Sequence, residues 1–134
     1  MRARMLGGLV LLWVLGFGPW ALAATQTLTV DQAKEMVQAR AGKADFVVLD
    51  VRTPHEFAEG HLPGAVNLDI EGRDFAGRLQ GLDRGKSYVV YCRTGNRSMR
   101  AVRAMEQLGF QSILHMPQGI VGWQERGFQV SKAN

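Results

Sequence analysis

The chain is poor in cysteine: one residue, Cys92, stands among 134, so no disulfide can form within it. There is no basic run with interleaved aromatic residues, and the net charge is only +4, so nucleic acid is not an expected partner. Three scattered histidines and one cysteine lack zinc-ligand spacing, and neither a metal nor another cofactor is expected. Repeats and low-complexity segments are also missing. The length fits a single globular domain.

Charge is also missing from one long stretch near the N-terminus. After a short basic start, residues 5–20 are uncharged and rich in Leu and Val, and Ala21-Leu22-Ala23 suits a signal peptidase. We therefore predict a cleaved secretory signal at residues 1–23, a single mature domain at residues 24–134, and Sec-type export to the periplasm or beyond. The alternative is an uncleaved anchor, since roughly 20 apolar residues can span a membrane. A membrane is an expected partner only in that case.

The mature chain alternates apolar runs with amphipathic segments. A continuous apolar run at residues 46–49 predicts a strand buried on both faces of a parallel sheet, and further short strands are predicted at residues 65–68, 88–91 and 112–116. Thr29, with Gln32 three residues later, predicts a capping box at the start of a helix that ends near Gly42. Further helices are predicted at 53–58, around 75–82, from near Ser98 to Gly109, and at 120–126. This alternation indicates an α/β fold with a mostly parallel sheet. Ligands bind such sheets at the carboxyl ends of the strands.

Cys92 lies at one of these strand ends, directly before a polar loop and a helix. Backbone N–H groups and the helix dipole favour negative charge there, and Arg93 and Arg97 act in the same direction. A lone cysteine after a strand is more often a packing residue, but the polar loop changes that expectation. A thiol with a lowered pKa is a nucleophile. The predicted anion-binding loop consists of Arg93, Thr94, Gly95, Asn96, Arg97 and Ser98.

The remaining polar residues favour structural roles. His61 lies in a Pro-Gly turn, where a hydrogen bond to the loop is expected, while His55 and His115 have no visible partner in the sequence. Arg52 and Glu56 are four residues apart and could pair, for a few tenths of a kcal/mol.

Several motifs together resemble the single-domain rhodaneses. They are Asp50-Val51-Arg52 with Glu56-Phe57, Glu59-Gly60-His61-Leu62-Pro63-Gly64-Ala65, Cys92-x-Thr94-Gly95-x-Arg97-Ser98 and Gly119-x-x-x-Trp123. The resemblance implies a five-stranded α/β domain and a sulfurtransferase whose cysteine becomes a persulfide. The expected donor is a small anion such as thiosulfate, and the expected acceptor is a thiol or cyanide. It also implies scaffold roles for Asp50, Arg52 and His61. A monomer is expected.

Other functions remain open beside this one. Phosphatases and arsenate reductases of related fold are similar, but have five residues between cysteine and arginine, whereas four separate Cys92 from Arg97. A non-catalytic or redox-sensing binding module is the main alternative. One departure from the resemblance is Gln118, where a glycine is common. If a left-handed backbone is needed there, Gln would cost roughly 1 kcal/mol and alter the pocket wall.

Overall fold

The computed structural model describes residues 25–132, which form five strands and five helices. The predicted signal at residues 1–23 lies outside the described residues. The strands are β1 (Thr25–Thr27), β2 (Phe46–Asp50), β3 (Val66–Asn67), β4 (Ser87–Tyr91) and β5 (Ser112–His115). The helices are α1 (Val30–Arg40), α2 (Pro54–Glu59), α3 (Phe75–Gln80), α4 (Asn96–Gln107) and α5 (Gly119–Glu125). Within this part of the chain, no helix is both long and apolar enough to cross a membrane.

The strands form one sheet in the order β1-β5-β4-β2-β3, and every pairing is parallel. The predicted α/β fold with a five-stranded parallel sheet is therefore confirmed. In this register Asp50 faces Tyr91, and His115 faces Val90. Because all strands run the same way, the ends of β2, β4 and β5 lie at one edge of the sheet. Cys92 follows β4 at the middle of this edge.

The sheet separates two hydrophobic clusters. Alternate residues of β4 point to opposite faces, so Val89 and Tyr91 pack on one side, and Val90 and Cys92 on the other. Trp123 of α5 belongs to the first cluster, whereas α4 contributes to the second through Ala101, Val102 and Met105. Helices thus cover both faces, as the uninterrupted apolar runs predict.

Two threonines fix the starts of helices. The Thr29 hydroxyl accepts from the N–H of Gln32 at 3.1 Å, and the Gln32 side-chain oxygen accepts from the N–H of Thr29 at 2.9 Å. Thr53 and Glu56 make the same reciprocal capping box at α2, with Pro54 in the first turn. The capping box predicted at α1 is confirmed.

The structure corrects some predicted boundaries. Sequence patterns locate four of the five strands and miss β1, because a polar three-residue segment has no apolar run to reveal it. α4 begins at Asn96, two residues before the predicted start near Ser98, with Gly95 as its N-cap. The segment from Cys92 therefore enters the helix almost at once, so part of the predicted loop is the first turn of α4.

Candidate active site

Cys92 is held beneath the backbone of the segment that follows it. The residue is only 1% exposed, and its Sγ accepts the Gly95 N–H at 3.1 Å. The Ser98 hydroxyl oxygen lies 3.3 Å from the same sulfur. Backbone N–H groups of Thr94 and Ser98 also lie close enough to lower the pKa of this thiol. The residues from Thr94 to Ser98, which lead into α4, therefore place donors around the sulfur, in the arrangement that binds anions at helix N-termini.

Two opposing effects act on the Cys92 thiol. Burial raises its pKa, because an ion is less well solvated inside the protein. Hydrogen bonds from the Ser98 side chain and from the N–H groups of Ser98, Gly95 and Thr94 lower the pKa and outweigh burial. The pKa of Cys92 therefore lies below the ordinary value for a thiol. A larger fraction is thiolate at neutral pH, which is the reactive form.

Two glycines give the segment its shape. Gly95 has φ 102°, and a Cβ built on it would approach the carbonyl oxygen of Pro117 to 2.5 Å. Gly119, with φ 65°, packs against the carbonyl oxygens of Cys92 and Arg93. Both sites require positive φ and close backbone approach, which only glycine supplies without strain.

The start of α5 braces the Cys92 segment. The N–H of Ile120 donates to the Cys92 carbonyl at 3.0 Å, and the N–H of Val121 donates to that of Arg93 at 3.3 Å. Gln118, just before this helix, has φ −69° and ψ −16°, which is right-handed backbone. The strain foreseen for a left-handed Gln118 is therefore absent. The left-handed residue at this turn is Gly119 instead.

Arg97 is bound to a carboxylate. Its two terminal nitrogens contact the two oxygens of Glu56, at 2.7 and 2.9 Å. The guanidinium lowers the pKa of Glu56 to about 2. The suggested pair between Glu56 and Arg52 is wrong, because each residue has a different partner. Arg97 thus shares its charge with Glu56, while exposed Arg93 makes no ion pair within residues 25–132.

A buried polar network supports the strand ends beside Cys92. Arg52 donates to Asp50 at 2.7 Å and to the Gly60 carbonyl at 2.6 Å, and both charged residues are buried. The Tyr91 hydroxyl donates to Asp50 at 2.6 Å and accepts the Leu62 N–H at 3.0 Å. These contacts tie β2 and β4 to the segment after α2. None of them reaches the sulfur of Cys92.

His61 makes local contacts in this segment. Its Nδ1 lies 2.8 Å from the carbonyl oxygen of Phe57, and its ring stacks on the Phe57 ring at a centroid distance of 3.8 Å. Its backbone forms a bridge with Ser131. His55 pairs with Glu59 across one helical turn in an exposed position. Neither histidine contacts Cys92.

His115 is the polar neighbour of the site that sequence reasoning missed. Its Nε2 lies 2.7 Å from Ser98 Oγ, and both residues are buried. His115 ends β5, next to the strand that precedes Cys92. A signal was present: in a parallel sheet, polar residues at the ends of adjacent strands lie near each other. The contact across 17 residues is visible only once β4 and β5 are known to be neighbours.

A cleft of about 290 Å³ opens beside the Cys92 segment. Arg93, Ile120 and Val121 form one part of its wall, and Arg52, Glu56 and Glu59 contribute to the rest. The lining carries both signs of charge. Arg93, which directly follows Cys92, is the loop residue in its lining.

Comparison with known proteins identifies the family of this chain. Residues 29–126 match the family model described as "Rhodanese-like domain". The chain belongs to this family. A protein named "Sulfurtransferase" from Allochromatium vinosum is 30% identical to this rhodanese-like chain over 98 residues, covering 73% of the chain and 90% of the relative. "Thiosulfate sulfurtransferase 16, chloroplastic" from Arabidopsis thaliana is 30% identical over 89 residues, covering 59% and 74%.

Solved structures show the same fold. A crystal structure of a rhodanese-related protein from Thermoplasma volcanium has a TM-score of 0.68 and 31% identity, covering 79% of this chain and 97% of that one. The solution structure of a rhodanese-like domain from Anabaena sp. has a TM-score of 0.69 at 23% identity, covering 80% and 79%. The second likeness concerns the fold alone.

Proposed function

We propose that this rhodanese-like domain is a sulfurtransferase in which Cys92 carries the sulfur as a persulfide. The observation that carries the proposal is the ring of donors around Cys92 Sγ, which favours the thiolate despite burial. Relatives named as sulfurtransferases support the same class of reaction. The donor is a small anionic sulfur compound such as thiosulfate, and the acceptor is a thiol or cyanide.

The first step loads Cys92. The thiolate attacks the outer sulfur of thiosulfate, a bond forms between that sulfur and Sγ, and the sulfur–sulfur bond of the donor breaks. The electron pair of that bond leaves with sulfite, and the persulfide anion remains on Cys92. The outer sulfur lies about 2 Å beyond Sγ, since this is the length of a sulfur–sulfur bond. The backbone donors are placed to offset the negative charge throughout.

The second step unloads the sulfur. An acceptor thiolate attacks the outer persulfide sulfur, which forms a new bond to the acceptor and releases Cys92 as the thiolate. Cyanide reacts in the same way and leaves as thiocyanate. In this step Cys92 is the leaving group, so the donors that lower its pKa assist departure as well as attack. The cleft lined by Arg93 is the proposed site of approach.

The charges at the site bear on the choice of donor. Arg97 is neutralised by Glu56, which leaves Arg93 as the loop arginine available to attract an anion. Glu56 and Glu59 in the cleft wall weaken this attraction. We therefore propose that Arg93, rather than Arg97, sets the response to a charged donor. An Arg93→Gln variant should raise KM for thiosulfate several-fold and leave the Cys92 pKa nearly unchanged.

Thiocyanate formation from thiosulfate and cyanide tests the assigned nucleophile. The wild-type protein should form thiocyanate catalytically, and Cys92→Ser should show only the uncatalysed rate, because a hydroxyl cannot form a persulfide. Ser is close to Cys in size, so the fold is expected to persist, which thermal unfolding checks. Retained transfer by Cys92→Ser would eliminate this mechanism.

Export is part of the proposal as well. The basic start, uncharged stretch and Ala-Leu-Ala ending suit a secretory signal removed after Ala23. The proposed location is the periplasm or the exterior. When the full chain is expressed in a bacterial host, the periplasmic fraction should contain a product that begins at Ala24. A product of full length held in the membrane fraction would favour the anchor instead.

A further inference from the structure

Behind the sulfur of Cys92, two buried polar side chains form a chain of hydrogen bonds. Ser98 Oγ lies 3.3 Å from Cys92 Sγ and 2.7 Å from His115 Nε2. Ser98 is 0% exposed and His115 is 2% exposed. Water therefore has little access to substitute for either partner. The sulfur, the hydroxyl and the imidazole come from three different elements: the end of β4, the first turn of α4, and the end of β5.

The Ser98 hydroxyl has more possible partners than hydrogens. It carries one hydrogen, yet three acceptors can surround it: Cys92 Sγ, His115 Nε2, and the Gly95 carbonyl at 3.1 Å. If the imidazole proton is on Nδ1, Nε2 is an acceptor and attracts the hydroxyl hydrogen at the shortest of these distances. If the proton is on Nε2, that nitrogen donates to Oγ instead. The hydroxyl hydrogen can then donate to the sulfur or to the Gly95 carbonyl, and a charged thiolate is the stronger of these two acceptors.

We propose that His115 is a positioning residue for sulfur transfer: with its proton on Nε2, it donates to Ser98 Oγ and directs the Ser98 hydroxyl toward the thiolate of Cys92. The inference rests on the proposed function for its consequence in turnover, while the hydrogen-bond arrangement itself can be tested without any sulfur donor. His115 touches neither the sulfur nor a substrate. It acts only through Ser98.

The neutral imidazole is suited to this task. Burial lowers the pKa of His115, which keeps the ring uncharged near neutral pH with a single N–H. No proton passes from sulfur to imidazole in this scheme. With Cys92 as a thiol, S–H can donate to Ser98 Oγ while the hydroxyl donates elsewhere. When the thiolate attacks or departs, the Ser98 hydrogen turns toward it, and Nε2–H satisfies the oxygen in its place.

The rate of Cys92 alkylation by iodoacetamide across a pH series tests the proposal. Cys92 is the single thiol of the chain, so the rate reports on this sulfur alone. His115→Leu and His115→Phe, which remove the donor, should raise the thiol pKa and slow alkylation at neutral pH roughly tenfold. His115→Gln retains an amide N–H and should recover most of the rate. Alkylation needs no sulfur donor, so these results are independent of whether sulfur transfer occurs.

A double-variant comparison separates positioning from packing. Ser98→Ala should slow alkylation about as much as His115→Leu, and adding His115→Leu to Ser98→Ala should change the rate less than twofold, because the two residues act on one contact. Ile113→Val, on the same strand, measures the effect of loosened packing alone. The proposal is overturned if His115→Leu or His115→Phe keeps the wild-type pH profile, or if its effect persists undiminished in the Ser98→Ala background. Thermal unfolding identifies which of the two apolar variants is folded for the comparison.

Discussion

At the scale of single residues, the reactivity proposed for Cys92 depends on where the backbone turns. The sulfur receives donors because Gly95 takes φ 102° and passes close to Pro117. A side chain at this position would meet backbone, which has little freedom to move. The placement of donors around Cys92 therefore depends on the backbone conformation of Gly95 as much as on the charged residues nearby.

Gly95→Ala should both destabilise the protein and raise the thiol pKa of Cys92. Left-handed backbone costs a non-glycine residue about 1–2 kcal/mol, and the contact with Pro117 adds roughly 1–3 kcal/mol. Gly127→Ala is the matched control, since Gly127 has φ 74° but open space around a Cβ. It should lose only the first of these amounts. Equilibrium urea unfolding measures the stability lost in each of the two variants. Equal losses for Gly95→Ala and Gly127→Ala would contradict the role given to Pro117.

At the scale of elements, the ion pair between Arg97 and Glu56 joins α4 to α2 beside the Cys92 segment. The folded protein holds the pKa of Glu56 at about 2, below its ordinary value of 4.5. The carboxylate is therefore favoured by folding. Its contribution to stability is complete above about pH 4.5 and is lost as the pH falls toward 2.

Glu56→Gln should remove this part of the acid sensitivity. The variant should be less stable than wild type by about 1 kcal/mol at pH 7, and the difference should shrink as the pH falls below 4.5. Glu71→Gln is a suitable control, because the Glu71 and Arg100 contact is equally short but more than half exposed. That change should have little effect at either pH. Urea unfolding at pH 7 and pH 3 provides the comparison, and a constant difference for Glu56→Gln would count against the pair.

Sequence patterns predicted the elements better than the contacts between them. Apolar runs locate β2 and β4, and the Thr29 capping box locates the start of α1, because these signals are local. β1 has three residues and no apolar run, so only its pairing with β5 reveals it as an outermost strand of the sheet. The Cys92 segment was recognised from its composition. The partners of its side chains were not.

The missed contacts join distant parts of the chain. Arg97 and Glu56 are 41 residues apart, and Ser98 and His115 are 17 apart. Such pairs depend on the sheet, in which β2, β4 and β5 are parallel neighbours whose carboxyl ends lie on the same side. The suggested Arg52 and Glu56 pair had the right spacing for a helix. However, Arg52 precedes α2 and turns inward to Asp50.

At the scale of the whole molecule, a buried hydrogen-bond network holds the carboxyl ends of β2 and β4 in place. Tyr91 is central to it, since its hydroxyl connects Asp50 of β2 with the backbone of Leu62. Burial is the main reason that the pKa of Tyr91 is raised, so the hydroxyl stays protonated and continues to donate. Replacing it would leave both partners short of a hydrogen bond in the interior.

Tyr91→Phe should therefore destabilise the protein by roughly 2–4 kcal/mol, because a bond to a charged group is lost and a buried N–H loses its acceptor. The other tyrosine of the chain, Tyr88, lies on the same strand and donates to the Asp83 carbonyl. Tyr88→Phe should cost about 1 kcal/mol. Denaturant midpoints of the two variants give the comparison, and a larger loss for Tyr88→Phe would contradict the importance of the network.

The most direct measurement of the central claim is the intact mass of the protein before thiosulfate, after thiosulfate, and after cyanide. The account predicts a gain of one sulfur, about 32 Da, that cyanide reverses and that Cys92→Ser does not show, because the persulfide forms on this nucleophile. No gain in the wild-type protein, or the same gain in Cys92→Ser, would contradict it.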